Sequence, residues 1–289
     1  MRSPSGPSFA GAVYRIPFDG PSGQIPGKDW VGSKAHNLMR LAARGLPVPP
    51  AFVLSTELCR DYLHRGAAAL SGLPPVLDRE LKELGARTGR CFGDAKRPLL
   101  VSVRSGAAIS MPGMMETVLN VGLTETTLRS LIRMTGNPRL AYDCRRRLIQ
   151  QYGEVVHGIP LARFDAIRDA ALAKQSVSEI GALDTGSLSD TARAFGDEFE
   201  AATGETFPTD PLFQLHAAIE AVFCSWRSPR AQSYRKLNGI SDDKHARASV
   251  RRWLRCASRM ISRYKVSFPG VKRSIESARS ISMKSRTSA

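Results

Sequence analysis

The chain has 289 residues, of which 42% are hydrophobic, 24% charged and 7% aromatic. This composition provides apolar material for one large domain or two small ones, and it excludes a disordered or collagen-like chain. The formal net charge of +16 by itself suggests an anionic partner such as nucleic acid. The distribution of charge argues against that partner, because residues 241–289 hold 13 Lys or Arg against 3 Asp or Glu, whereas the first 240 residues hold 29 against 23.

Cysteine, histidine and hydropathy patterns exclude further classes of protein. The five cysteines are scattered without a C-x-x-C pair, which favours a reducing compartment over a disulfide framework. Neither the cysteines nor the five histidines have the spacing of a metal site, so no metal ligand is predicted. No apolar stretch is long enough to span a membrane, and the first residues lack the apolar core of a secretory signal. We therefore expect a cytoplasmic protein that does not bind a membrane.

The first candidate site lies at the start of a helix. Residues 1–11 are rich in Gly, Pro and Ser and are expected to be flexible, and a short strand follows at Val13–Ile16. Helical spacing of apolar residues begins at Lys34 and continues to Arg44. The N–H groups and the dipole at a helix start favour phosphate, and the Lys34 ammonium adds a positive charge. An ordinary solvated lysine is the alternative, because the sequence here lacks the full phosphate-loop motif.

The second candidate site follows an apolar strand. Residues 98–104 form an apolar run that ends in Arg104, and the next eleven residues, up to Glu116, carry no charge. Their lack of a helical or strand period predicts a long loop, and such loops are often functional. An arginine and free backbone donors at the carboxyl end of a strand favour an anion site. A structural arginine that binds loop carbonyls is the alternative.

The rest of the chain divides into a helical part and a basic part. Residues 124–237 have a mostly helical pattern, with helix starts predicted at Thr124, Pro211 and Pro229. Residues 241–289 contain 11 serines and 13 basic residues without a sustained period. Such a stretch buries too little apolar surface to offset the loss of chain entropy, so we expect it to be disordered.

Several motifs, taken together, resemble one enzyme family. The run L-L-V-S-V-R-S-G-A at 99–107, followed by S-M-P-G-M-M-E-T-V-L-N at 110–120, closely resembles the signature of the pyruvate, phosphate dikinases. Further segments agree in order, namely K-A-H-N-L at 34–38, G-N-P-R-L-A-Y-D at 136–143 and A-I-E-A-V-F at 218–223. The resemblance covers residues 12–240 and is highly specific.

The resemblance implies an α/β fold, an incomplete ATP-grasp-like nucleotide-binding domain with a large helical portion, followed by the basic tail. In the family, this domain cleaves ATP and passes a phosphoryl group to a histidine on another domain, and a barrel domain then makes phosphoenolpyruvate from pyruvate. Lys34 matches the family's nucleotide-contacting lysine, and Arg104, the catalytic candidate, matches its phosphate-contacting arginine. The resemblance also assigns nucleotide contacts in the following segment, to Ser105, Gly113, Met114, Glu116 and Thr117.

Departures from the family pattern limit these expectations. The sequence has Gly-Ser-Lys-Ala at 32–35 where the family usually has Gly-Gly-Lys-Gly, and Glu116 replaces a usual aspartate. The family continues with acidic metal ligands, a phosphohistidine domain and a pyruvate barrel, none of which is recognisable here. Mg²⁺ is expected for the family, but its ligands are not evident in this sequence. We therefore expect a chain that binds ATP but is inactive alone, or a subunit that a separate chain completes.

Two origins are open for the basic stretch at 241–289. A one-base shift of the reading frame would turn a family-typical Gln-Ala-Met into Arg-Arg-Trp, the sequence at 251–253, and a shifted GC-rich frame produces excess Arg and Ser. The shifted frame is the favoured interpretation. The alternative is a genuine basic tail that binds nucleic acid or another polyanion, with the preceding domain as its scaffold.

Limited proteolysis tests the predicted boundary at residue 240. If residues 12–240 form a packed body and 241–289 do not, a protease should remove the C-terminal stretch early, because unpacked backbone is cleaved first. Mass spectrometry should then find a stable body that ends near residue 240. Cleavage of both parts at similar rates would contradict the boundary.

Overall fold

The computed structural model describes residues 11–17, 24–107 and 116–238, and the expectations for 1–10, 108–115 and 239–289 lie outside these described residues. Within the described ranges the chain forms nine α-helices and six strands of two to five residues, which pair into three two-stranded sheets. An α/β fold with a large helical portion is therefore confirmed. No helix in this part of the chain is both long and apolar enough to cross a membrane.

The first sheet and the first helix form an N-terminal unit. Strands β1 (Val13–Ile16) and β2 (Ala51–Leu54) pair antiparallel, and helix α1 (Lys28–Ala43) packs against both of them. Successive side chains of a strand point to opposite faces, and Phe52 accordingly packs against the main core while Val53 packs against a separate small cluster. The buried members of that small cluster are Ile16, Val31 and Met39.

Helix α1 begins earlier than the sequence pattern predicts. The pattern places the start at Lys34, whereas the helix begins at Lys28 and is interrupted at Gly32, where φ is 79° and ψ is 156°. These angles belong to a region that is essentially restricted to glycine. Lys34 therefore lies in the first turn of the regular helix that follows the interruption. The expected position of the lysine is correct, although the helix boundary is not.

Most of the remaining helices contribute to the main core, and the helical pattern predicted for 124–237 is confirmed. Polar side chains cap several of them, at Thr124 as the sequence suggests and also at Asn137 and Ser228. Helix α5 lies at the centre and contacts α4, α6, α7 and α8. The bounds are α2 (Thr56–Arg65), α3 (Leu73–Thr88), α4 (Glu125–Thr135), α5 (Pro138–His157), α6 (Leu161–Lys174), α7 (Thr185–Thr203), α8 (Pro211–Ser225) and α9 (Pro229–Leu237).

The strand predicted at 98–104 is divided between two sheets. Its first part, β4 (Pro98–Leu99), pairs in parallel with β3 (Cys91–Phe92). Its second part, β5 (Val101–Arg104), pairs antiparallel with β6 (Thr117–Val121) and places Arg104 opposite Thr117. The strand changes partner at Leu100, which a sequence pattern of continuous apolar residues does not reveal.

Two glutamine side chains accept hydrogen bonds from the backbone of β6 and of the residue that follows it. The N–H of Leu119 donates to Oε1 of Gln151 in α5, and the N–H of Gly122 donates to Oε1 of Gln214 in α8, both at 2.9 Å. Gln214 is fully buried. Because a buried N–H without a partner is costly, these two bonds fix β6, and with it the end of β5, relative to two core helices.

A partly buried ion pair joins the N-terminal unit to the main core. Nε of Arg15 in β1 donates to Oε2 of Glu80 in α3 at 2.7 Å, and Nε of Arg79 donates to Oε1 of Glu80 at 2.9 Å. Burial by itself would raise the pKa of Glu80, but the hydrogen bonds from the two arginines outweigh it and hold this pKa below its ordinary value. The carboxylate therefore stays charged and keeps β1 attached to α3.

The half-buried His157 makes the stability of the fold depend on pH. It packs against Phe199 with a distance of 4.8 Å between ring centroids, and burial lowers its pKa from 6.5 to about 4. Between these two values the unfolded chain binds more protons at this residue than the folded chain does. The free energy of unfolding should therefore decrease as the pH falls through this window, by up to about 3 kcal/mol.

Urea denaturation at about pH 7 and about pH 4.5 measures this effect. In His157→Phe the free energy of unfolding should decrease less between the two pH values than in the wild-type protein. Carboxylates titrate in both proteins, so the difference between the two decreases reports His157 alone. An equal loss in both proteins would contradict the assignment.

Candidate functional site

The two segments that the sequence predicts to bind an anion are in contact with each other. The backbone N–H of Ser33 in α1 donates to the carbonyl oxygen of Ala107 at 2.7 Å. A Cβ at Gly32 would lie 3.0 Å from the backbone nitrogen of Ala107 and 3.0 Å from the carbonyl carbon of Gly106. The loop after β5 therefore packs directly onto the backbone where α1 is interrupted.

Lys34 and Arg104 lie close to this contact along the chain, one on each of the two segments. Lys34 follows Ser33 directly, and Arg104 ends β5 three residues before Ala107, which is at most about 11 Å of extended chain. Both residues are exposed. Within the ranges that the structure describes, neither side chain forms a hydrogen bond or an ion pair. The two positive charges are thus available to an anion at this place.

The other described candidates lie across the end of the β5–β6 ladder. Arg104 is the register partner of Thr117, and the N–H of Ser105 donates to the carbonyl oxygen of Glu116 at 3.4 Å. Ser105 is buried, whereas Glu116 and Thr117 are half-buried. The ladder therefore fixes the backbone on both sides of the loop predicted to lie over the phosphates.

Five of the seven predicted site residues are thus brought to one region by three chain segments, namely Lys34, Arg104, Ser105, Glu116 and Thr117. Gly113 and Met114 lie outside the described residues. The contact of any of the seven with a nucleotide stays a prediction.

The acidic groups nearby do not fit a magnesium site. The pKa of Glu154 in α5 lies above its ordinary value, because the protein desolvates the carboxyl and because the Glu116 carboxylate is close. No group of three or more His, Cys, Asp or Glu in the described part of the chain could hold a metal ion. These residues therefore do not supply the set of oxygen ligands that Mg²⁺ requires.

Sequence reasoning missed the residues that hold the site together. Gln151 and Gln214 fix β6 from helices α5 and α8. Both belong to ordinary amphipathic helices, so no local pattern distinguishes them from solvated glutamines. Gly32 gave no such signal either, because the helical pattern begins after it, at Lys34.

Comparison with known proteins identifies the family. A sequence profile described as "Pyruvate phosphate dikinase, AMP/ATP-binding domain" matches residues 69–251. The chain belongs to this family. The match to the pyruvate phosphate dikinase profile includes Arg104 and the segment up to Thr117, and it ends within the basic stretch 241–289.

Curated relatives in this family extend the similarity. A protein named pyruvate, phosphate dikinase from Clostridium symbiosum is 40% identical over 221 residues, which are 75% of this chain and 25% of that protein. The one from Giardia intestinalis is 40% identical over 220 residues, 76% of this chain and 25% of its own length. Pyruvate, phosphate dikinase 2 of Zea mays is 43% identical over 215 residues, 74% of this chain and 24% of its own. The chain thus spans about a quarter of the length of these relatives, and the resemblance seen in its motifs is confirmed.

Proposed function

We propose that this chain is the ATP-binding N-terminal portion of a cytoplasmic pyruvate, phosphate dikinase, with an ATP-grasp-like domain over residues 12–240. The observation that carries the proposal is the contact of Gly32 and Ser33 with Gly106 and Ala107. It supports one shared anion site, because it joins the start of the helix that carries Lys34 to the segment that follows Arg104. Membership of the AMP/ATP-binding domain family supports a nucleotide as the anion.

Lys34 and Arg104 bind the phosphate groups of ATP. The Lys34 ammonium is a compact point charge, and the N–H groups in the first turn after Gly32 add the positive end of the helix dipole. The planar guanidinium of Arg104 can donate two parallel hydrogen bonds to two phosphate oxygens. Ser105, Gly113, Met114, Glu116 and Thr117 belong to the segment that covers the same phosphates.

These residues act by orientation and charge. They hold the triphosphate in one geometry, and the two cations stabilise the negative charge that develops as a phosphoryl group leaves. Arg104 is the catalytic residue of this proposal because it contacts the reacting phosphates. Mg²⁺, which the family uses, would further offset charge on the phosphates, but its ligands come from outside the described residues.

The complete reaction converts ATP, phosphate and pyruvate to AMP, diphosphate and phosphoenolpyruvate. We assign the phosphohistidine and pyruvate steps to other domains of the enzyme. The support for this is the matched profile, which describes an AMP/ATP-binding domain, and the quarter of the relatives' length that this region covers. The proposed partners are ATP and these other domains, on this or on a separate chain, with no membrane and no nucleic acid.

Titration with ATP tests the two cations. Lys34→Ala and Arg104→Ala should each weaken binding by about 1.5–3 kcal/mol, a ten- to hundredfold increase in Kd, because each removes a charge-assisted contact with phosphate. Arg40→Ala is a matched control, since Arg40 is an exposed cation farther along the same helix. Calorimetry gives the affinities. Equal Kd values for wild type and Arg104→Ala would remove Arg104 from the site.

A second test addresses the complete reaction. The purified 289-residue chain, incubated with ATP, phosphate and pyruvate, should form no phosphoenolpyruvate, because nothing in the described residues supplies a metal site or a barrel for pyruvate. Coupled detection of phosphoenolpyruvate provides the measurement. Pyruvate-dependent product from these 289 residues would overturn the view that other domains complete the enzyme.

A further inference from the structure

Gly32 has a backbone conformation that other residues do not adopt without strain. It interrupts α1 with a φ of 79° and a ψ of 156°, and it is buried. This combination of angles is essentially restricted to glycine, because a Cβ would clash with the neighbouring peptide groups. Its effect is to change the direction of the chain one residue before Ser33, so that the regular part of α1 starts beside the loop that follows β5.

A side chain at Gly32 would also meet another segment. Its Cβ would lie 3.0 Å from the nitrogen of Ala107, 3.0 Å from the carbonyl carbon of Gly106 and 3.1 Å from the Cα of Gly106. All three are backbone atoms, so they cannot rotate away as the end of a flexible side chain could. The same approach allows the bond of 2.7 Å from the N–H of Ser33 to the carbonyl oxygen of Ala107.

We propose that Gly32 is a positioning residue of the nucleotide site, which sets the location of Lys34 relative to Arg104 through this backbone contact. Its missing side chain lets the start of the lysine helix touch the loop that leaves Arg104. The inference rests on the proposed function, because the ligand held by the two cations is ATP.

The surroundings explain why a displacement at Gly32 would reach the site. On one side, α1 is held within the N-terminal unit by Val31 and Met39. On the other side, β5 is paired with β6, which Gln151 and Gln214 fix to the main core. Since both sides are held, an added methyl group must widen the gap between them. Lys34 then moves away from Arg104.

The experiment compares two glycines with nearly the same φ. Gly45 follows α1 at a φ of 75°, and a Cβ there would meet no atom within 4 Å. Gly32→Ala should raise the Kd for ATP about tenfold or more, since small misplacements of binding groups have large effects. Gly45→Ala should bind ATP as the wild-type protein does. Calorimetric titration with ATP and circular dichroism of each variant provide the measurements.

A double substitution separates positioning from general damage. If Gly32 acts by placing Lys34, then Gly32→Ala should cause little further loss of affinity in a protein that already carries Lys34→Ala. An equal loss in both backgrounds would overturn the proposal, as would wild-type affinity in Gly32→Ala.

Should Gly32→Ala not fold, the variant Ser33→Pro tests the same backbone contact. It removes the N–H that binds Ala107 at a helix start where proline is tolerated, and it should also weaken ATP binding in a Lys34-dependent way. Wild-type affinity in Ser33→Pro would then overturn the proposal.

Failure of the proposed function gives a different result. If the wild-type chain does not bind ATP, or if Lys34→Ala and Arg104→Ala leave the Kd unchanged, the ATP site itself is wrong. If those two substitutions weaken binding while Gly32→Ala does not, the ATP site stands and only the role of Gly32 is refuted.

Discussion

The hydrogen-bonding requirement of β6 is the constraint on which the rest of the site depends. The N–H groups of Leu119 in β6 and of Gly122, the residue after it, donate to the side chains of Gln151 and Gln214. These bonds attach one short strand to two core helices. Because β5 is paired to β6, the end of β5 at Arg104 is fixed by the same helices. A sheet of two short strands would be marginal by itself, so the glutamines and the helix packing supply its rigidity.

The site joins two parts of the molecule that have separate hydrophobic clusters. Arg104 belongs to the main core through β5, whereas Lys34 belongs to the N-terminal unit with its small cluster. Packing of the β1–β2 pair on the main core, the ion pair of Arg15 with Glu80 and the backbone contact at Gly32 hold the two parts together. A ligand that contacts both cations would add a further link between them.

The sequence predicted the local elements well where a physical signal was short-range. Helix starts at Thr124, Pro211 and Pro229 are found within one residue of the predicted places, because side-chain caps and the fixed φ of proline act locally. Two boundaries differ. Helix α1 starts at Lys28, since Gly32 interrupts the helix without ending it, and the strand at 98–104 divides at Leu100, where it changes from one partner strand to another. Both differences arise from partners that are distant in the chain.

The sequence by itself determined the α/β class and the family, and it predicted two phosphate-binding cations, because composition, helix periodicity and a specific motif are properties of short segments. Only the tertiary structure decided that Lys34 and Arg104 belong to one place. That depends on the contact of Gly32 with Gly106 and Ala107, and on the glutamines that fix β6. These contacts join residues far apart along the chain, and their geometry follows from the packing of the whole core. A local pattern specifies which side chains are present, but the distance between two segments is set by everything packed around them.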